Sequence, residues 1–114
     1  MKTLEINLGM SQSEADKYDA WRGTNEGGKL KETGTIHWNS PNTDATNLSG
    51  FSALPGGQIN GYNEWWEIGY YGHWQVSSID YDDAYRRSLG YDKGQINRYS
   101  TWKVCGYSVR CIKD

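Results

Sequence analysis

Phenylalanine occurs once in this chain of 114 residues, and proline, cysteine, methionine and histidine occur twice each. No apolar run approaches the ~18 residues that a membrane-spanning helix needs. The opening Met1-Lys2-Thr3-Leu4-Glu5 lacks the apolar stretch of a signal peptide. Neither sign of charge prevails, since 12 basic and 14 acidic residues leave a net charge of -2. Without a basic stripe the chain is not expected to track nucleic-acid phosphates. Apolar residues make up only 36% of the chain, and the mean hydropathy is -0.86. Such polarity alone would suit a disordered segment. The 14% aromatic content argues for a folded domain instead, because disordered chains are poor in aromatics. The length fits a single domain over residues 1–114, loop-rich and with a largely aromatic core.

The scarce chemical residues assemble no familiar centre. Cys105 and Cys111 are six positions apart, roughly 20 Å along an extended strand at ~3.3 Å per residue. A disulfide needs Cα atoms within about 7 Å, so two free thiols are expected. His37 and His73 have no Cys, His or carboxylate at ligand spacing, and structural or surface roles are expected of both. Asn39, Asn42, Asp44 and Asn47 form an oxygen-rich loop. With one carboxylate they would make at best a weak calcium site, and turn capping is the simpler role. Asp80, Asp82 and Asp83 lack the glycine and the distal glutamate of a calcium loop. Gly23 to Leu30 nearly matches a phosphate-binding loop, but Leu30 stands where a hydroxyl would hold magnesium. A glycine-rich turn entering a strand is expected there. Ser77-Ser78 lies in no nucleophile motif, and nothing near Cys105 would lower its pKa. No cofactor and no catalytic set are expected.

Local patterns predict two short helices broken near Gly9. Ser11-Gln12-Ser13-Glu14 is a capping box, so the second helix should run from Ser11 to about Ala20. Leu4, Ile6 and Leu8 also alternate, which leaves a short strand open as an alternative. Turn residues dominate from residue 21. Short strands are predicted at Lys29–Lys31 and Thr35–Trp38, with a polar loop from Asn39 to Gly50. Phe51 to Leu54 should enter the core before a turn at Pro55-Gly56-Gly57. Further short strands are predicted at Trp65–Tyr71, Trp74–Ser78, Ala84–Leu89, Gln95–Tyr99 and Ser108–Ile112. Strands following helices imply an α+β fold with an antiparallel sheet. Phe51, Leu54, Trp74, Leu89, Val109 and Ile112 are the expected core.

Twelve of the fifteen Trp and Tyr residues lie beyond residue 60. A domain this small cannot bury them all, and alternation along strands places about half outside. Exposed clusters of this kind mark contact surfaces. The expected surface comprises Asn63, Trp65, Glu67, Tyr70, Tyr71, His73, Gln75, Asp82, Tyr85, Arg86, Tyr91 and Asn97. The rings would anchor a ligand, with charged residues setting specificity at the rim. Spread over some forty residues, the aromatics favour a protein partner. A glycan, which would want one or two rings flanked by carboxylates or amides, is the alternative. The rings could equally replace missing aliphatics in the core of a structural unit.

Several blocks together resemble the Fibrobacter succinogenes major paralogous domain family. They are Gly27 to Thr35, His37 to Thr43, Asn47 with Ser49 to Gly57, the Gly72/Trp74 region, Ala84 with Arg87 and Leu89, and Gly106 to Asp114. The resemblance spans nearly the whole chain. It implies a C-type-lectin-like fold, by kinship with formylglycine-generating-enzyme-type domains: two short helices, a twisted antiparallel sheet and long loops. It implies extracellular or cell-surface proteins of bacteria, often multidomain. It also suggests a variable ligand surface of the kind that diversity-generating retroelements rewrite. The family pattern begins earlier, with a Cys-Pro-x-Gly-Trp segment whose cysteine would pair with Cys111. This chain opens inside the following helix. The lectin-like fold then implies an exposed sheet edge that could support a homo-oligomer. The formylglycine-type cysteines are not matched, so that activity is not implied, and Cys105 is the one residue an enzymatic reading would rest on.

Overall fold

A computed structural model describes residues 2–59, 65–80, 83–102 and 106–107. Two short helices open it, α1 at Lys2–Asn7 and α2 at Gln12–Ala15. The break between them falls where Gly9 takes φ +117°, a conformation that costs glycine little. Ser11 caps α2, its hydroxyl accepting from the Glu14 amide at 3.2 Å. The helix ends at Ala15 rather than near Ala20. Asp19 turns with φ 50°, and β1 begins at Ala20–Arg22.

Two antiparallel sheets follow. The larger has the order β1-β6-β5-β4, with β4 at Tyr71–Asp80, β5 at Asp83–Gly90 and β6 at Ile96–Trp102. The smaller has the order β3-β2-β7, from Gln58–Ile59, Trp65–Trp66 and Gly106–Tyr107 as β2, β3 and β7. The architecture is α+β with two short helices, as expected. The strands predicted at 74–78, 84–89 and 95–99 lie within or largely within β4, β5 and β6. The 65–71 segment is not one strand. It is β3, a turn through Glu67 to Tyr70, and the start of β4. The strand predicted at 108–112, with Val109 and Ile112, lies outside the described residues.

Residues 23 to 57 form the least regular part, and the strands predicted at 29–31 and 35–38 do not form. Lys31 makes one isolated bridge to Ala53, and residues 33–38 are bends. Tertiary partners override local propensity here. Lys31 is fully buried and donates to the carbonyls of Thr43 at 2.8 Å, Gly90 at 2.9 Å and Lys93 at 2.9 Å. Its ammonium also lies 5.4 Å from the Trp38 ring centroid. Trp38 is fully buried and donates Nε1–H to the Ala53 carbonyl at 2.9 Å. Within the oxygen-rich loop, Asn42 donates to the carbonyls of Glu32 and Gly34, and Asn47 bonds Ser52 through both ends of its amide. Asn42, Asp44 and Asn47 all take positive φ, which these side chains tolerate. The glycine-rich stretch is a turn, and Gly28 packs so close to the Asp44 backbone that a Cβ has no room.

The core among the described residues is Met10, Ala15, Leu30, Trp38, Ala53, Trp74, Leu89 and Ile96. It is therefore mainly aliphatic, not largely aromatic. Trp74 and Leu89 fill the places expected of them, and Phe51 packs edge-on against Trp74 from a half-buried position. Leu54 does not enter the core and stays 47% exposed. Beneath the sheet, fully buried Glu5 from α1 pairs with Arg22 of β1 and Arg87 of β5. Arg22 reaches both carboxylate oxygens and the Ala15 carbonyl, and Arg87 reaches both oxygens at 3.1 and 3.4 Å. This cluster ties both helices to the inner face of the sheet.

Candidate functional site: a cleft on the outer face of the sheet

Period-two alternation divides the large sheet between two tasks. Gly72 and Trp74, Arg87 and Leu89, Ile96 and Arg22 are buried. The alternate positions line a cleft of about 370 Å³ on the other face. Tyr71 and His73 come from β4, Arg86 and Ser88 from β5, Asn97 and Tyr99 from β6, and Trp21 from β1, while Glu67 joins from the turn before β4. The register puts His73 opposite Ser88, Ser88 opposite Asn97, and Asn97 opposite Trp21, one continuous row across four strands. Arg86 pairs with Tyr99 in the next row, and its guanidinium lies 4.8 Å from that ring.

A hydrogen-bonded chain runs along the cleft floor. His73 Nε2 and Glu67 Oε2 are 2.7 Å apart, and His73 Nδ1 and Ser88 Oγ are 2.7 Å apart. A neutral ring satisfies both contacts when Nε2–H donates to the carboxylate and Nδ1 accepts from the hydroxyl. Burial holds the imidazole below its ordinary pKa of 6.5; Arg86 pushes the same way, and the Glu67 hydrogen bond opposes them. Above pH 6.5 the ring is neutral in both folded and unfolded chains. As the pH falls below 6.5 the unfolded chain takes up a proton that the folded one resists, so stability falls. Urea midpoints should therefore drop between about pH 6.5 and 5 more steeply in the wild type than in His73→Gln. Equal slopes would show that the ring titrates normally in the fold.

Aromatic side chains build the walls. Tyr71 packs against Trp21, His73 and Tyr91, with centroids 6.4, 6.2 and 6.2 Å apart. Tyr70 stands edge-on to Tyr91 at 5.1 Å, at the margin of this group. Beside it runs an exposed apolar strip, in which Trp65 is 55%, Trp66 50% and Ile68 61% exposed.

Residues 1–113 match the model of the Fibrobacter succinogenes major domain family. The chain belongs to that family. No curated protein and no solved structure shows significant similarity to it. The match covers every element of this Fibrobacter succinogenes major domain, including all eight residues of the cleft.

The twelve residues expected at the surface divide in this family member. Glu67, Tyr71, His73, Arg86 and Asn97 converge on the cleft. Trp65 belongs to the exposed strip, Tyr70 stands at the margin of the aromatic wall, and half-buried Tyr91 links Tyr70 to Tyr71. Gln75 and Tyr85 fall within β4 and β5, but their side chains, like Asn63 and Asp82 entirely, lie outside the described residues. Trp21, Ser88 and Tyr99 also line the cleft without having been anticipated. The signal for Ser88 and Tyr99 was their two-residue offset from Arg86 and Asn97. No local signal marks Trp21, which reaches the cleft only because β1 pairs with β6.

Proposed function

We propose that this domain is a non-enzymatic ligand-binding module of C-type-lectin-like architecture, with the outer-face cleft as its binding site. One observation carries the reading: a concave cleft with three aromatic rings and several polar side chains, assembled from four strands of one sheet. Its volume lies within the range of small-ligand sites, about 300–1,000 Å³. A site of this size takes one residue or terminal group of a larger molecule.

A catalytic role has less support, although Ser88, His73 and Glu67 are linked as a nucleophile, base and acid would be. Ser88 is 2% exposed and sits in the middle of a strand with partners on both sides. Its neighbouring amides belong to the ladder, which leaves them unsuited to holding an oxyanion. Cys105 lies outside the described residues.

The exposed Trp65, Trp66 and Ile68 favour a second reading, in which a protein partner spans the strip and places one side chain in the cleft. A place at the surface of a bacterial cell, within a larger protein, is the location that the family resemblance favours for such a module. No described helix is long and apolar enough to cross a membrane. Among the described residues β1 and β4 are the outer strands of the large sheet, and self-pairing would use one of these edges.

Panels of glycans and bacterial surface proteins test the reading. Tyr99→Ala is expected to abolish a hit while leaving the melting temperature near that of the wild type. Loss on Trp65→Ala but not on Tyr99→Ala would move the site to the strip.

A further inference from the structure

We propose that the cleft holds a neutral sugar residue without the help of a metal ion. The inference rests on the reading of the cleft as the binding site and names its ligand class.

Unused hydrogen-bonding capacity comes first. Asn97 Oδ1 is buried and accepts no hydrogen bond. A buried acceptor without a donor is costly, and a turn of the Asn97 amide towards the cleft, which its side chain lines, would bring it to a bound hydroxyl. Glu67 Oε2 already takes donors from His73 and Gln58, at 2.7 and 3.3 Å, while Oε1 takes none among the described residues. The cleft thus offers two acceptors, one an amide oxygen and one a carboxylate oxygen. Planar polar groups of this kind suit adjacent hydroxyls, which present their donors from a rigid ring.

Charge narrows the class. Arg86 lies against the Tyr99 ring, and Lys93 lies 5.3 Å from the centroid of Trp21. Two of the three rings therefore already hold a cation from this chain. Arg86 and Glu67 both line the cleft, so a charged ligand of either sign meets one like charge as well as one opposite charge. A neutral polyol meets neither penalty. Its C–H face can lie on an aromatic wall while its hydroxyls reach Asn97 and Glu67. No three His, Cys, Asp or Glu side chains converge on a metal position among the described residues. The sugar contacts come from side chains directly.

The full chain should be applied to an array of neutral oligosaccharides built from hexoses and N-acetylhexosamines, in calcium and in chelator. Binding is expected to be unchanged by chelator. It should weaken roughly tenfold or more in Trp21→Ala and in Asn97→Leu. Asn97→Leu removes the orphaned acceptor, so it should melt no lower than the wild type, which separates lost binding from lost folding. Binding that is confined to acidic sugars, abolished by chelator, or indifferent to both substitutions would overturn the proposal. Retention of a surface protein through Trp21 and Asn97, with no sugar bound, would overturn it and spare the cleft. A folded sample that binds neither would remove both readings.

Discussion

Replacing Glu5 with Ala is expected to cost about 3–5 kcal/mol of stability, among the largest effects of any single substitution in this domain. The carboxylate is fully buried between two guanidinium groups that are themselves 0% and 4% exposed. Removing it leaves two cations facing each other out of water. Arg87 shows the balance directly: burial lowers its pKa, the nearby Glu5 carboxylate raises it, and Arg22 lowers it further. Urea denaturation of Glu5→Ala reads the loss. Glu5→Gln should fall only slightly short of it, because the amide keeps an acceptor but no charge. A loss below ~1 kcal/mol would mean that the pairs are hydrated as surface ion pairs are. Replacing all three partners with apolar residues should recover much of the stability, because the penalty belongs to the unpaired charges.

Lys31→Met should cost on the order of 3 kcal/mol, from three buried carbonyls that lose their donor. The side chain keeps its length and apolar stem, so packing on Trp38 survives. What goes is the link between the 39–50 loop, at Thr43, and the end of β5 with the turn after it, at Gly90 and Lys93. The pH dependence has a definite sign. Burial lowers the ammonium from 10.5 to about 8, against opposing pulls from Asp44 and Asp92. Between those values the unfolded chain binds the proton more tightly than the folded one. The contribution of this group to stability is therefore least below about pH 8 and rises as the pH climbs towards 10.5. Wild-type urea midpoints should show that rise relative to Lys31→Met. A variant as stable as the wild type would show that water reaches the three carbonyls.

Residues 86 and 87 show what the sequence could and could not tell. Both are arginine, yet Arg86 lines the cleft and Arg87 lies beneath the sheet against Glu5. Alternation separates them, but the assignment of each to a face depends on which face the core covers. The long strands were legible as short segments between turn residues, and the Ser11 cap and the Gly9 break from local chemistry. Buried Glu5, Arg22 and Lys31 were not, because a charged residue reads as surface until its partner is known. Glu5 and Arg87 are 82 positions apart. The strands expected at 29–31 and 35–38 failed because the amides of Lys29, Leu30 and Lys31 close turns back to Asn25, Glu26 and Gly27, and residues 33–38 are bends. In the cleft, Glu67, Tyr71, His73, Arg86 and Asn97 were legible from composition, whereas Ser88 and Tyr99 were missed beside them. Trp21 belongs to the site through strand order alone.

The most direct test of the cleft is backbone amide shift mapping during titration with the ligand that the panels yield. The structure predicts perturbations concentrated at Trp21, Tyr71, His73, Ser88, Asn97 and Tyr99, across four neighbouring strands of one sheet. Shifts confined to Trp65, Trp66 and Ile68, or to the 39–50 loop, with the outer face of the sheet silent, would contradict the account.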